Sequence, residues 1–319
     1  MSTLLEQLRQ ASLVDCDTLD ISVARSLGPF QDCTSNQAIA YLELIKPGHE
    51  DVIRQSAKLA KELHRSYPEL AIPELAVEIA MVQLGLEILP HIRGCMHIQT
   101  NPFYAYDSDA TITAAQRIVA LFQQLGSNVG KDRICIKIPS TWEGLQACGV
   151  LSEKGFNTLA TTLFTIEQAV VAAKMGCTYI APYVNELAVH FEPGFVDQFP
   201  GGDLCVQAQR LFRKHGYTTK VLPASLVSIE SCMSLSGVDH ITIAPGILQQ
   251  LNKTVESKCA SAFEGEVPEI DTPGIMDEKQ FRILLTRRDS GRGEIKQVKA
   301  INVFADFQTK LEDLVQGYL

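Results

Sequence analysis

The sequence predicts an α/β fold of the (β/α)8 TIM-barrel class with an additional C-terminal helix, and three observations lead to this prediction. The 319-residue chain contains eight short apolar runs, each followed by residues at helical spacing. The first run continues into DCDTLDISVA and lacks the GxGxxG loop expected of the competing architecture, a doubly wound open sheet. The length suits one large α/β barrel or two average domains.

The predicted strands are short apolar runs that end at polar or turn residues: 12–17 (SLVDCD), 30–35 (FQDCTS), 94–100 (GCMHIQT), 133–138 (RICIKI), 156–161 (FNTLAT), 178–183 (TYIAPY), 219–225 (TKVLPAS) and 239–244 (DHITIA). Apolar residues at three- and four-residue spacing predict helices at 50–66, 74–90, 109–125, 142–154, 166–176, 203–215 and 228–235. Thr165 and Gln168 indicate a capping box at the start of one helix. Gly155, Gly176, Gly216 and Gly237 are predicted to end four others.

The C-terminal region is expected to complete a single domain over residues 1–319, with the barrel at about 10–250. The segment 251–295 is predicted to be irregular, because it contains Pro268, Pro273 and several charges. A final helix at about 296–316 is expected to pack across the barrel, since one stripe carries Val298, Ile301, Phe304, Phe307, Leu311 and Leu314. The rest of this region could serve a homo-oligomer interface, which the sequence does not decide.

Composition argues against several classes of partner and location. With a net charge of −9 and no basic stretch, the chain is not expected to bind nucleic acid. The first residues, MSTLLEQLRQ, lack the pattern of a signal peptide, and no apolar run is long enough to span a bilayer. Nine cysteines form no CxxC pair, and Cys16, Cys33, Cys95 and Cys135 lie in strand-like runs. We therefore expect buried reduced thiols, no metal site and a cytoplasmic location.

Lys137 lies in an otherwise apolar, β-branched run, RICIKIP. Lysine is almost never fully buried without a partner or a purpose. Burial disfavours the charged form of a lysine and so favours a nucleophilic amine, which makes Lys137 a candidate Schiff-base former. The alternative is a lysine that extends past the strand end into water.

Polar residues follow most of the predicted strands at their carboxyl ends, where the active site of such a barrel lies. Seven strands supply them: Asp17, Thr34 with Asn36, Gln99 with Asn101, Lys137, Thr161, Tyr183 and Ser225. Since these ends converge on one small volume, Lys137 is expected to have neighbours able to transfer protons. The prediction is therefore an amine nucleophile surrounded by acid–base groups.

The predicted chemistry is attack of the lysine amine on a ketone, followed by cleavage or formation of a carbon–carbon bond through an enamine. Asp17 could handle the proton of the cleavage step. Tyr183, or a water held by Gln99 and Thr161, could serve the dehydration. Gln99 and Thr161 could instead merely satisfy hydrogen bonds within the barrel.

Other polar residues receive structural predictions. Asp20 is expected to cap the first barrel helix, and Asp32 to hold a loop. His97 has the inward parity of Gln99 one layer deeper and is expected to be a core histidine. Cys135 is expected to pack in the core.

Five motifs in order resemble those of the transaldolase family: DCDTLD, DCTSNQAI, IKIPSTWEGLQA, ATTLFTIEQA and ITIAPGILQQL. The resemblance covers essentially the whole chain and implies a metal-free, cofactor-free class I aldolase that acts on a small carbonyl compound. It further implies that Lys137 is the Schiff-base lysine and Asp17 the acid–base aspartate. Asn36, Thr161 and Ser225 are implied as substrate or water contacts.

Two departures from the family resemble its fructose-6-phosphate aldolase branch. Transaldolases have a glutamate on strand three where this chain has Gln99, and a phenylalanine at the end of strand six where it has Tyr183. That branch performs direct aldol cleavage and addition. A tyrosine hydroxyl can hold or protonate the catalytic water, which favours release of the enamine to solvent.

A third departure concerns phosphate recognition. The family's phosphate-binding cations correspond to Glu186 and Val227, and neither side chain can bind phosphate. We hypothesise a substrate that lacks a phosphate and is bulky or aromatic, at a mouth lined by Phe103, Tyr104, Tyr106, Phe164, Phe191 and Val227. The alternative is a phosphate contact from Arg25, Arg210, Arg213 or Lys214. The full predicted substrate site comprises Thr34, Asn36, Asn101, Phe103, Ser225, Glu186 and Val227.

Three functions remain open from the sequence. The leading one is a transaldolase-like class I aldolase with an unphosphorylated or non-standard substrate. The second is a housekeeping transaldolase of the pentose phosphate pathway, acting on sedoheptulose 7-phosphate and glyceraldehyde 3-phosphate. The third is a repurposed barrel, either a binding protein or an enzyme of specialised metabolism, but a pure scaffold would not require both Lys137 and Asp17.

Overall fold

A computed structural model describes residues 2–256, 259–265, 274 and 277–319. Its eight strands are parallel and follow the order β7-β6-β5-β4-β3-β2-β1-β8. The strands are β1 Leu13–Asp17, β2 Cys33–Thr34, β3 Met96–Gln99, β4 Ile134–Pro139, β5 Asn157–Leu163, β6 Tyr179–Pro182, β7 Lys220–Val221 and β8 His240–Ile243. Each predicted strand is present, and the fold is the predicted (β/α)8 barrel.

Closure of the barrel depends on its last strands. β1 pairs with β8 in the register Leu13 to His240. On the other side of β8, the Thr242 amide donates to the Pro223 carbonyl just beyond β7, at 3.3 Å. The strands therefore form a nearly closed ring, and their carboxyl ends face one common volume.

Helices connect the strands and surround the barrel. They are α1 Leu4–Ala11, α2 Ile21–Leu27, α3 Gln37–Leu44, α4 Glu50–Leu63, α5 Ile72–Ile88, α6 Ser108–Leu125, α7 Trp142–Glu153, α8 Ile166–Lys174, α9 Ala188–Phe191, α10 Gly202–His215, α11 Ile229–Ser234, α12 Pro245–Lys253, α13 Glu278–Arg287 and α14 Arg292–Gln316. The predicted capping box of Thr165 and Gln168 opens α8. Gly216 ends α10 in the left-handed conformation that glycine adopts without strain, with φ of 70°.

The C-terminal region differs in part from the prediction. The segment 251–295 is not irregular throughout, because it contains α13 and the end of α12. The apolar face of α13 is narrow, with only Phe281 and Leu285 buried, and so gives a weak periodic signal. Pro268 and Pro273 lie outside the described residues.

Helix α14 lies over the end of the barrel at which the strands have their carboxyl termini. Phe304 is 1% exposed and packs in one cluster with Tyr183, Leu222 and Ala224. Val298 belongs to the predicted buried stripe but is exposed. The helix thus forms a wall of the site rather than a remote appendage.

The sequence also predicts buried reduced thiols and no segment that spans a bilayer. None of the nine cysteines, all of which lie within the described residues, forms a disulfide; Cys259 is partly exposed, and the other eight are buried. Among the helices of the described residues, none is both long and apolar enough to cross a membrane.

Candidate active site

A cavity of about 340 Å³ opens at the carboxyl ends of the strands. Five predicted site residues line it: Asp17, Asn36, Lys137, Tyr183 and Ser225. They lie within or after β1, β2, β4, β6 and β7, toward the carboxyl-terminal face of the barrel. The sequence motifs are therefore brought together in one volume.

Lys137 lies inside the barrel wall. Lys137 is 3% exposed, and its Nζ donates to the Ser35 carbonyl at 3.3 Å. The same Nζ lies 6.0 Å from the centre of the Tyr183 ring. This burial does not fit the alternative in which Lys137 extends into water.

Asp17 is held by a pair of threonines. The Thr34 hydroxyl donates to Asp17 Oδ1 at 2.6 Å and lies 2.6 Å from the Thr242 hydroxyl. Since Thr34 uses its one proton on Asp17, Thr242 donates to Thr34. Thr34, for which the sequence predicts a substrate contact, is hydrogen bonded to the Asp17 carboxylate in this structure.

Tyr183, which lines the cavity, and Thr161, which does not, form a hydroxyl pair. The Thr161 Oγ1 donates to the Tyr183 hydroxyl at 3.1 Å, and both residues are buried. The Phe164 ring meets Tyr183 edge-on at 5.6 Å between centroids. The tyrosine ring is thereby held with its hydroxyl turned toward β5.

Gln99 lies directly beside Lys137 in the sheet register. It is 1% exposed, and neither Nε2 nor Oε1 of its side chain has a hydrogen-bond partner among the described residues. A buried amide without partners is costly to the folded state. Gln99 is thus a buried amide beside Lys137 whose side chain has no partner among the described residues, although it does not line the cavity itself.

Asn36 and Ser225 also line the cavity. The Asn36 side chain caps a helix, and the Ser225 backbone is strained. Asn36 Oδ1 accepts the Ile39 amide at 3.0 Å and caps α3. Ser225 has a φ of 59°, unusual for a residue with a side chain, and its carbonyl accepts from Asn185 at 2.8 Å. Such strain is typical of functional positions.

Five predicted substrate residues lie outside the lining of this cavity: Thr34, Asn101, Phe103, Glu186 and Val227. Gln99 and Thr161 lie outside it as well. Asn101 donates to Glu74 at 2.8 Å, and Phe103 is 62% exposed. Glu186 is buried, with its carboxylate 3.3 Å from Lys299, and Val227 is half exposed. No cation therefore stands at the two family positions for phosphate.

The cations proposed as substitutes are engaged elsewhere. Arg25 contacts His91, and Arg210 donates to the carbonyls of Phe263 and Gly265. Arg213 pairs with Asp239 at 3.4 Å. Neither these three nor Lys214 lines the cavity around Lys137.

A second cavity, of about 380 Å³, shares Tyr183 with the first. Three cations line it: Arg288, Arg292 and Lys296. Arg288 pairs with Glu167, and Lys296 pairs with Asp197 at 2.7 Å. Arg292 stacks on Phe199, with its guanidinium carbon 3.5 Å from the ring centre. Phe164 lines this cavity rather than the one that contains Lys137.

His190 and Phe304 also line this cavity, although the sequence predicted neither as a site residue. His190 Nε2 lies 2.9 Å from the Ser225 hydroxyl. Part of the imidazole stays exposed; desolvation of the rest lowers its pKa, against the opposing charge of Asp17. The one available sequence signal was that His190 follows Tyr183 on the same connecting segment.

A buried polar layer lies one step below the catalytic residues. His240 Nδ1 lies 3.0 Å from Asp15 Oδ2, and His97 Nε2 lies 2.9 Å from Asp32 Oδ2. Burial raises the pKa of Asp15, whereas the pKa of Asp32 is lowered because the hydrogen bond and charge of His97 outweigh its desolvation. His97 is thus a bonded core histidine, as predicted, and Asp32 also accepts the Cys95 amide.

Asp15, Asp32 and His240 are also a set of potential metal ligands, with donor atoms within 4.8 Å of one another. These atoms are already used. Asp15 Oδ1 accepts the Asp32 amide at 2.8 Å, and Asp32 Oδ1 accepts the Cys95 amide at 2.8 Å. Satisfied hydrogen bonds of this kind explain the cluster without an ion.

A (β/α)8 barrel with a buried lysine and an aspartate in one cavity at its strand ends has the arrangement of a barrel enzyme. A family model described as transaldolase/fructose-6-phosphate aldolase matches residues 14–315. A probable transaldolase of Dictyostelium discoideum is 29% identical over all of both chains. A transaldolase of Thermosynechococcus vestitus is 30% identical over 99% of this chain and 82% of its own, and one of Methylobacillus flagellatus is 28% identical over 98% of each.

The chain belongs to the transaldolase/fructose-6-phosphate aldolase family. It is an enzyme of the transaldolase or aldolase type.

Proposed function

We propose that the protein is a class I aldolase that forms a Schiff base on Lys137 and makes or breaks a carbon–carbon bond of a ketose or hydroxyketone. The observation that carries this proposal is the buried Lys137 amine in the cavity that also contains Asp17. Amines of this kind serve as nucleophiles toward carbonyl compounds.

The reaction begins when the Lys137 amine attacks the ketone carbon and forms a carbinolamine. Loss of the hydroxyl as water gives an iminium, which withdraws electrons from the adjacent carbon–carbon bond. The Asp17 carboxylate takes the proton of the hydroxyl beyond that bond, the bond breaks, and an aldehyde leaves. The bonding electrons remain as an enamine on Lys137.

The enamine has two fates. Protonation at carbon and addition of water return the shortened ketone and the free amine, while attack on a second aldehyde transfers the unit instead. The Thr161–Tyr183 hydroxyl pair and the unpaired Gln99 amide can hold the water that enters or leaves. A buried hydroxyl pair supports release to water, as the fructose-6-phosphate aldolase resemblance suggests.

The substrate that suits this cavity lacks a terminal phosphate. Glu186 and Val227 replace the family's cations, and the Glu186 charge is paired with Lys299. Much of the cavity wall is apolar, formed by Ala38, Ile39, Leu42, Leu187, Phe191 and Phe304. A bulky or aromatic substituent would bury more of this surface than a sugar phosphate would.

Reductive trapping tests the proposal. Borohydride added with dihydroxyacetone or an unphosphorylated hydroxyketone should attach the substrate to Lys137, detected by peptide mass spectrometry, and Lys137→Met should abolish both adduct and turnover. Lys46→Met is the matched control, because Lys46 lines the same cavity but is paired with Glu43 and Asp20. Unchanged turnover in Lys137→Met would overturn the mechanism.

One observation favours a housekeeping transaldolase as the second candidate. The cavity on the other side of Tyr183 carries Arg292 and Lys296, which could hold a phosphate in place of the family's positions. Turnover of fructose 6-phosphate and of an unphosphorylated ketose separates the two candidates. A clear preference for the phosphorylated sugar would favour the second one.

Eight buried cysteines that form no disulfide support a cytoplasmic location for the enzyme. Fractionation of cells that express the protein tests this part of the proposal.

A further inference from the structure

Thr34 and Thr242 belong to the two strands that flank the strand of Asp17. The strand order places β1 between β2 and β8, and Asp17 is the register partner of Thr34. In a (β/α)8 barrel the inward side chains of alternate strands share a layer, so residues of β2 and β8 can meet inside the barrel. The hydroxyls of Thr34 and Thr242 meet there at 2.6 Å, and the two residues are 1% and 3% exposed.

The direction of these hydrogen bonds follows from the carboxylate at the end of the chain. An ionised carboxylate can only accept, and each hydroxyl has one proton to donate. The Thr34 hydroxyl therefore donates to Asp17 Oδ1, at 2.6 Å, and accepts from the Thr242 hydroxyl. Among the described residues, the Thr242 hydroxyl has no other hydrogen bond, so its one proton serves Thr34 alone.

We propose that Thr242 is a positioning residue for carbon–carbon bond cleavage, which acts through Thr34 to fix the Asp17 carboxylate so that Oδ2 takes the proton of the substrate hydroxyl. The cleavage role rests on the proposed function. The two threonines occupy Oδ1, whereas Oδ2 accepts no hydrogen bond from the described residues. Hydrogen bonds in series strengthen one another, and a bond to a charged group is stronger than one between neutral groups.

A purely structural pair of threonines would behave differently. Two buried hydroxyls that only satisfy each other need no carboxylate, and valine has nearly the same shape as threonine. Replacing both partners of such a pair by apolar groups can be nearly neutral. The two roles therefore differ in whether the effect of a change at Thr242 depends on Thr34 and Asp17.

The kinetic test compares Thr34→Val, Thr242→Val and the double variant in the cleavage of fructose and fructose 6-phosphate, measured as release of the three-carbon aldehyde. Thr34→Val should slow cleavage roughly tenfold and Thr242→Val roughly threefold, with the double variant at about tenfold rather than about thirtyfold. Borohydride trapping of dihydroxyacetone on Lys137 should be unchanged in all three, because imine formation precedes the Asp17 step. Thr242→Ser keeps the hydroxyl and should retain the wild-type rate.

Thr219→Val is the matched control for the loss of a buried threonine hydroxyl. The Thr219 hydroxyl donates to the Cys177 carbonyl at 2.7 Å, just before the amino end of β7 and so away from the carboxyl ends of the strands. This variant should leave the cleavage rate unchanged. Losses that multiply in the double variant, or a loss of trapping that parallels the loss of cleavage, would overturn the proposal.

Unfolding measurements test the chain of hydrogen bonds without any substrate. Thr242→Val should change the equilibrium constant for unfolding in urea about threefold more in wild type than in Asp17→Ala, and this difference should vanish when Thr34 is replaced by valine. An equal effect of Thr242→Val with and without Asp17 would overturn the proposal. Failure to trap dihydroxyacetone on Lys137 of the wild-type protein would instead contradict the proposed function, while the unfolding data would still decide whether Thr242 acts on Asp17.

Discussion

Gln99 is a buried residue that is expected to lower the stability of the fold and is proposed to bind water in the reaction. Its buried amide lies beside Lys137 without a hydrogen-bond partner among the described residues. A buried polar group in that state costs the folded protein about 1–3 kcal/mol. Leucine has a similar volume and no polar atoms, so it would remove this cost together with the water contact proposed for Gln99.

We expect Gln99→Leu to raise the free energy of unfolding by about 1 kcal/mol and to lower turnover at least tenfold, by about 1.4 kcal/mol of transition-state stabilisation. Chemical denaturation and steady-state kinetics measure the two effects. Gln168→Leu is the matched control, because the Gln168 amide bonds Phe164, Thr165 and Ser140, so this change should lower stability. A loss of stability in Gln99→Leu would show that the amide is satisfied in solution.

At the scale of elements, Asp197 connects the segment between β6 and α10 to α14 by an ion pair. Asp197 Oδ2 accepts from Lys296 at 2.7 Å and from the Glu186 amide at 2.9 Å, and Oδ1 accepts the Phe199 amide at 2.9 Å. Its side chain is 3% exposed. Desolvation would raise the pKa of Asp197, but these hydrogen bonds and the charge of Lys296 hold it below the ordinary value.

A carboxyl whose folded-state pKa is depressed stabilises the protein above its unfolded pKa, about 3.9, and loses this contribution as the pH falls through the folded value. We therefore expect Asp197→Asn to lower the free energy of unfolding by about 1–3 kcal/mol near neutral pH, with the difference from wild type shrinking below about pH 4. Urea denaturation across this pH range measures it. Asp51→Asn is the control, since Asp51 is 88% exposed and 3.9 Å from Arg54. A difference that persists unchanged at low pH would contradict an ionic origin.

The strand period explains which site residues the sequence could locate. Asp17, Lys137 and Tyr183 lie on or just beyond regular strands, so inward parity and the barrel rule bring them to one cavity. Asn101 has the parity of Gln99, but the chain turns into a short 3₁₀ helix at Pro102–Tyr104 and directs it toward Glu74. Parity carries no information beyond the end of a strand.

His190 and Phe304 reach the cavity from helices rather than strands. His190 lies on the four-residue helix α9, and Phe304 lies on α14, far along the chain from the other site residues. Their positions depend on how these helices pack on the barrel, which no local pattern encodes. The sequence predicted that the last helix packs across the barrel but not that it lines the site.

At the scale of the whole molecule, α14 and the barrel share one packed cluster at the catalytic end. Phe304 is 1% exposed and lies in the cluster with Tyr183, Leu222 and Ala224. The same ring lines the catalytic cavity. The expected single domain should therefore unfold in one calorimetric transition, with the helix and barrel lost together.

Phe304→Ala should keep a single transition and lower the free energy of unfolding by about 3–5 kcal/mol, since it removes a buried aromatic ring and leaves a void. The same void enlarges the catalytic cavity, so KM should fall for hydroxyketones with a larger substituent and rise for small ones that lose contact with the ring. Scanning calorimetry and kinetics on a substituent series measure these effects, with Ile295→Ala, on an exposed position of α14, as the control. Two separate transitions, with only one shifted by the substitution, would mean that α14 and the barrel are energetically independent and that the helix is not a fixed wall of the site.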